Sequence, residues 1–221
     1  MAGILFIISA PSGSGKSTLV SQLRSLVPGL DFSVSYTTRA PRGSEVDGTE
    51  YHFTTRQHFE EMIARDEFLE HAEVFGNYYG THRNALKHAA AKGLDLLLDI
   101  DVQGAMQVMQ RAPEAVSIFI VPPSPAVLEK RLRNRSAAEN ISNEDLIRRR
   151  LAQAESELRE ISNYDYAIVN DVLDNAVAEL VAIVKTERGE GDADPLHLAA
   201  NCRTAAPSAH LQDALAKFAQ S

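Results

Sequence analysis

Residues 4–26 limit the fold more sharply than any other stretch, because they join an isoleucine-rich apolar run, a glycine loop and a helical pattern in that order. No basic region precedes the run at 4–9, so it reads as a buried strand and not as a signal peptide. The loop that follows is Ala10-Pro11-Ser12-Gly13-Ser14-Gly15-Lys16-Ser17-Thr18, and a helical pattern continues through residue 26. Strand, loop and helix are the first half of a βαβ unit. The loop matches the pattern G-x-x-x-x-G-K-[ST] except at Ala10, which closes the strand and is small enough to cost little there. Gly13 and Gly15 let the backbone wrap closely enough to turn N–H groups onto a polyphosphate. Lys16 adds a mobile cation, the Ser17 hydroxyl is placed for a divalent metal, and the helix points its positive end at the anion.

Three further short apolar runs, at 94–100, 117–121 and 166–169, fall where a parallel sheet with helical crossovers places its strands. Residues 34–85 differ: they are polar, hold most of the tyrosines, and carry turn signals at Pro41-Arg42-Gly43 and Asp47-Gly48. They predict an inserted subdomain of short antiparallel strands with one helix near 56–65. Residues 125–162 are helical and charged, with Ile147, Leu151, Ala154, Leu158 and Ile161 forming one apolar stripe. The fold class is thus α/β, a three-layer fold with a parallel central sheet, a small antiparallel insert and a helical lid. Residues 1–186 are expected to form one domain: a core of 1–33, 86–124 and 163–186, the insert at 34–85 and the lid at 125–162. The acidic, glycine-containing stretch at 189–195 and the aperiodic 196–207 predict a linker and a loosely docked tail over 187–221.

Charge narrows the ligands. The formal net charge of −8 argues against a general polynucleotide binder, so anionic ligands must be met by local arginine clusters. No apolar run is long enough to span a bilayer, which predicts no membrane partner. The single cysteine, Cys202, excludes an internal disulfide and fits a reducing cytoplasm.

One such cluster lies in Ser33-Val-Ser35-Tyr-Thr-Thr-Arg39-Ala-Pro41-Arg42-Gly. Pro41 biases Ala40 toward extended geometry and restricts the turn, so Arg39 and Arg42 can converge on one phosphate. Asp99 and Asp101 flank Ile100 at the end of a strand, and alternation puts both on one face. One is suited to act through water on a metal and the other to orient a substrate or the loop; spacing does not divide the two roles. Arg131 and Arg135, four residues apart, share a helical face.

Taken with Ala10–Ser17 and Ser35–Arg42, the blocks Gly48-Thr-Glu-Tyr51, Phe68-Leu-Glu70-His-Ala, Gly76-Asn-Tyr-Tyr79-Gly-Thr81, Leu98-Asp99-Ile-Asp101-Val-Gln-Gly104 and Ile168-Val-Asn170-Asp171 resemble the guanylate kinase family, over residues 4 to about 186. The resemblance implies phosphoryl transfer from ATP to GMP with Mg²⁺, by a monomer or homodimer acting on small molecules. It implies that residues 10–18 hold ATP with Arg131, Arg135 and Asn170, and that Lys16, Arg39, Arg131, Arg135 and Arg150 neutralise charge in transit. It assigns the GMP phosphate to Arg39, Arg42, Tyr51 and Tyr79, and the guanine to Glu70, Ser35 and Thr81. Asp99 and Asp101 complete the GMP site, and Ser17 and Asp99, the latter through water, meet the metal. Thr81 stands where serine is frequent, Ser136 where the family has glycine, and the 136–143 stretch is longer than the family's.

Two other activities fit parts of the chain. A P-loop kinase of a sugar phosphate would not need the base-reading Glu70, Ser35 and Thr81. A guanylate-kinase-like scaffold for phosphopeptides would typically lack the loop lysine, and this chain keeps Lys16 and Ser17.

Overall fold

The computed structural model describes residues 3–138, 144–190 and 192–220. Strand β1 (Leu5–Ser9) is buried along its whole length and leads through the glycine loop into α1 (Lys16–Leu26), whose Leu19, Val20 and Leu23 face inward. There follow β2 (Leu30–Phe32), β3 (Tyr36–Thr37), β4 (His52–Phe53), α2 (Arg56–Ala64), β5 (Phe68–Val74), β6 (Asn77–His82), α3 (Asn84–Lys92), β7 (Asp95–Asp99) and α4 (Val102–Arg111). The chain then forms β8 (Val116–Val121), α5 (Pro125–Ala138), α6 (Glu144–Leu158), a 3-10 turn at Arg159–Asn163, β9 (Tyr166–Val169), α7 (Leu173–Glu187), α8 (Ala193–Ala200) and α9 (Ala209–Ala219). One sheet has the order β2-β7-β1-β8-β9, with β2–β7 and β8–β9 paired in parallel; β1, β7, β8 and β9 fall on the spaced apolar runs of the sequence. Strand β2 escapes sequence analysis because Leu-Asp-Phe is too short to show a period. Among the described residues no helix is long and apolar enough to cross a membrane.

The second sheet, β4-β3-β6-β5, corrects the expectation of an all-antiparallel insert. Strands β3–β6 and β5–β6 are antiparallel, but β3 and β4 run in parallel. Residues 38–51 join them by a long return loop and not by a hairpin turn, so the chain re-enters in the same direction.

The chain divides into two compact units, one of residues 1–7 and 29–115, the other of 8–28 and 116–221. In the first, Phe59 and Met62 of α2 pack on Phe68, with Tyr36, Ile63 and Tyr78 around them. Phe59 stacks on Phe68 with ring centroids 4.3 Å apart and on Tyr78 at 5.2 Å. In the second, β8 and β9 are wholly buried, and α7 turns Leu180, Ile183 and Val184 inward.

The C-terminal segment departs most from expectation. It is not loosely docked: α8 packs on α7, α9 packs on β9, and Ala199, Cys202, Leu211 and Ala214 are buried. The Ala167 N–H donates to the Cys202 carbonyl at 2.8 Å and the Thr204 N–H to that of Asp165 at 3.1 Å. These bonds cover the open edge of β9, whose backbone groups would otherwise lack partners. The Arg203 guanidinium lies 4.1 Å from the Tyr166 ring centroid and pairs with Glu187 at 3.0 Å. Little in the sequence signals this docking, because α8 is only eight residues long and buries a single residue, Ala199, fully.

Candidate active site

In the second unit the loop after β1 adopts the backbone that its glycines permit. Gly13 and Gly15 have φ of 90° and 87°, in the left-handed region open to glycine, and Gly15 serves as the N-cap of α1. The Ser14 carbonyl accepts from Asn170 Nδ2 at 2.7 Å and from Arg131 Nη1 at 3.2 Å, while Arg131 Nη2 donates to the Asn170 carbonyl at 3.0 Å. Arg131 and Asn170, both expected beside ATP, are thus clasped to the loop backbone. A Cβ at Gly15 would lie 2.3 Å from Asn170 Nδ2, and one at Gly13 3.0–3.1 Å from Leu132 and Leu128 of α5. The glycines therefore answer to close packing as well as to backbone shape. Ala10 is buried, Lys16 half-buried, and Ser17 and Thr18 are exposed at the start of α1. The Ser14 hydroxyl is buried with no hydrogen-bond partner among the described residues.

Arg150 sits on α6 at 6% exposure, while Arg148 and Arg149 face solvent. The side chain of Arg135 and the stretch 139–143 lie outside the described residues. Ser136 is buried in α5.

The first unit carries the other group of predicted residues, and strand register explains their convergence. Glu70 pairs across the ladder with Thr81, Tyr79 with Ala72, and Thr37 with Tyr79. Alternation then sends Glu70, Ala72, Tyr79, Thr81 and Thr37 to one face, and Ser35 precedes Thr37 by two residues on that same side. The opposite face carries Tyr36, Phe68 and His82, with Tyr36 6.0 Å from Phe68 and 5.9 Å from His82. A bulge between Phe68 and Glu70 makes this division possible. By simple alternation the two would share a face; one extra residue sends Phe68 into the core and turns Glu70 to the other side. Glu70 is 1% exposed and Thr81 fully buried, and Thr81 Oγ1 has no hydrogen-bond partner among the described residues.

Beyond this face, Tyr51 and Tyr79 meet edge-on at 5.8 Å, and the Arg39 guanidinium lies 5.3 Å from the Tyr51 ring centroid. Burial, with the nearby Asp99 and Tyr79 groups, pushes the Tyr51 phenol up to about 12, so it stays a hydrogen-bond donor at any physiological pH. Two residues here carry roles that sequence analysis missed. Glu45 holds Arg39 Nη2 at 2.9 Å and accepts from the Arg42 N–H at 2.7 Å, joining both arginines to one turn. Burial opposes its ionisation, yet the bonds from Arg39 and Arg42 hold its carboxyl below the usual range. An acid three residues after the second arginine was the available signal. Gly104 is the other: a Cβ there would lie 2.3 Å from Glu70 Oε2, a proximity no local pattern reveals. Asp101 caps α4, accepting from the N–H groups of Gln103 and Gly104 at 2.8 and 3.2 Å, while half-buried Asp99 ends β7.

A parallel α/β sheet with a lysine- and serine-bearing glycine loop at the end of its first strand defines the class: a P-loop nucleotide-binding protein. The sequence model of the guanylate kinase family matches residues 3–187. The chain is 57% identical over 188 residues to a guanylate kinase of Koribacter versatilis, covering 85% of this chain and 80% of the relative. It is 51% identical over 188 residues to a guanylate kinase of Escherichia coli strain K12, covering 84% and 89%. The crystal structure of guanylate kinase from Anaplasma phagocytophilum superposes with a TM-score of 0.67 at 35% identity, covering 84% of this chain and 86% of that one. The chain belongs to the guanylate kinase family, whose reaction is phosphoryl transfer from ATP to GMP.

Proposed function

We propose that this chain performs that transfer with ATP held at the loop of residues 10–18 and GMP held in the first unit. The observation that carries the assignment is the shared face of Glu70, Thr81, Tyr79 and Ser35, with the Arg39–Tyr51 pair beyond it. Guanine offers N1–H and the 2-amino group side by side, and the Glu70 carboxylate accepts both; adenine presents no such pair of donors on that edge. The Thr81 and Ser35 hydroxyls take the remaining base edge. Arg39, Arg42, Tyr51 and Tyr79 hold the acceptor phosphate, with Glu45 fixing the two arginines in one turn. That phosphate is already anionic near neutral pH, so the reaction needs no general base. What the protein supplies is alignment and charge neutralisation by Lys16, Arg131, Arg135 and Arg150.

Ser17 and Asp99 offer hard oxygen donors, and among the described residues no group of three or more His, Cys, Asp or Glu could hold a metal. Oxygens of this kind suit Mg²⁺, which keeps several waters and takes much of its coordination from the nucleotide phosphates. Bound there, Mg²⁺ would supply charge neutralisation on the transferring group. We place the enzyme in the cytoplasm as a monomer or homodimer acting on small molecules, with neither nucleic acid nor membrane as partner, in keeping with its acidic charge and lone cysteine.

The test is ADP release from ATP with each of GMP, AMP, CMP and UMP. GMP alone is expected to support turnover, and Lys16→Ala is expected to abolish it with the circular dichroism spectrum unchanged. Equal use of AMP, or near-normal turnover in the lysine variant, would sink the site assignment.

A further inference from the structure

Residues 188–220 lie beyond the family match at 3–187, yet they reach the packing that holds the phosphate loop. Phe218 of α9, like Leu151 of α6, packs against the buried cluster formed by Leu128, Leu132 and Ala154. Leu128 and Leu132 are the same two side chains that stand closest to Gly13. Between them on α5 lies Arg131, bonded to the Ser14 and Asn170 carbonyls. Helix α9 also packs on β9, the strand that ends immediately before Asn170. The C-terminal helix therefore packs both on the apolar cluster that contains the two leucines nearest Gly13 and on the strand that leads to Asn170. Its first turn is fixed by the Ser208 side chain, which caps the helix by accepting from the Leu211 N–H.

We propose that α9 is a brace for the donor site and that Phe218 is a positioning residue for ATP, acting through Leu128 and Leu132 on the loop at Gly13. The alternative role, stabilising the fold alone, would lower the fraction of active enzyme and leave substrate affinities untouched. A brace on one site instead changes one affinity. The proposal rests on the placement of ATP at residues 10–18.

The experiment measures Michaelis constants for ATP and GMP, turnover and ATP binding by calorimetry in the full chain and three variants. Phe218 is half-buried, so Phe218→Ala is expected to fold. It should raise the ATP constant about three- to tenfold, leaving the GMP constant and turnover within about twofold. Phe218→Leu, which keeps an apolar contact, should restore most of the affinity. Ser208→Ala, which removes the cap of α9 and keeps Phe218, should shift the ATP constant in the same direction but less. Unchanged ATP affinity in Phe218→Ala, or an equal rise in both constants, overturns the proposal. Lys16→Ala serves as the separate control: if it binds ATP normally, the donor-site placement fails, whatever Phe218 does.

Discussion

Gly104 shows how little room the base site leaves at the level of single atoms. Alanine at this helical position would gain about 1 kcal/mol of helix propensity, yet its Cβ would fall 2.3 Å from Glu70 Oε2. The carboxylate, at the end of a flexible side chain, must swing away, so the fold tolerates the change better than the site does. Gly104→Ala is therefore expected to raise the Michaelis constant for GMP by about tenfold or more, with a melting temperature within a few degrees of the parent. A normal GMP constant would show that Glu70 does not need this close contact. At this scale the sequence was most legible where chemistry is local. The lysine of a glycine loop, or two arginines around a proline, carry their purpose in adjacent letters. Gly104 and Glu45 do not, because each acts through a neighbour brought to it by the fold.

Among elements, α7 carries a buried cost. Its Glu179 is partly enclosed, and burial raises its carboxyl to about 7. In the unfolded chain the same group titrates near 4.5. A group raised in this way contributes its stability below the unfolded value and loses it as pH rises through the folded one. The window is pH 4.5 to 7, and above it the folded protein bears an ill-solvated charge. Glu179→Gln is expected to raise the melting temperature by about 2–4 °C at pH 8 and to leave it unchanged at pH 4.5, which thermal melts at the two pH values will show. The discount for its remaining exposure keeps the expected gain to about 1 kcal/mol. Elements with a strong period, such as α1, β8 and β9, were legible in advance. The bulge in β5, the parallel run of β4 and the alanine-rich α8 were not, since each is decided by pairing with distant residues.

For the molecule as a whole, a ligand that binds the folded chain and not the unfolded one must stabilise it by mass action. At a hundredfold excess over its dissociation constant, a ligand adds about 2.7 kcal/mol to the stability of the folded chain. GMP and a non-hydrolysable ATP analogue are each expected to raise the melting temperature, whereas AMP at the same concentration as GMP is not expected to match the GMP shift, as thermal melts with each ligand will check. The overall α/β architecture was legible because its strands are spaced apolar runs. The docking of the C-terminal segment was not, for it depends on the bare edge of β9. Thr81 sets a limit on how stable such a protein can become. Its buried hydroxyl finds no hydrogen-bond partner among the described residues, and a valine of the same shape would relieve that debt by about 1 kcal/mol. Thr81→Val is accordingly expected to melt higher and to bind GMP more weakly, as paired melts and GMP titrations will check. Selection for heat tolerance and selection for guanine would then pull this one position in opposite directions.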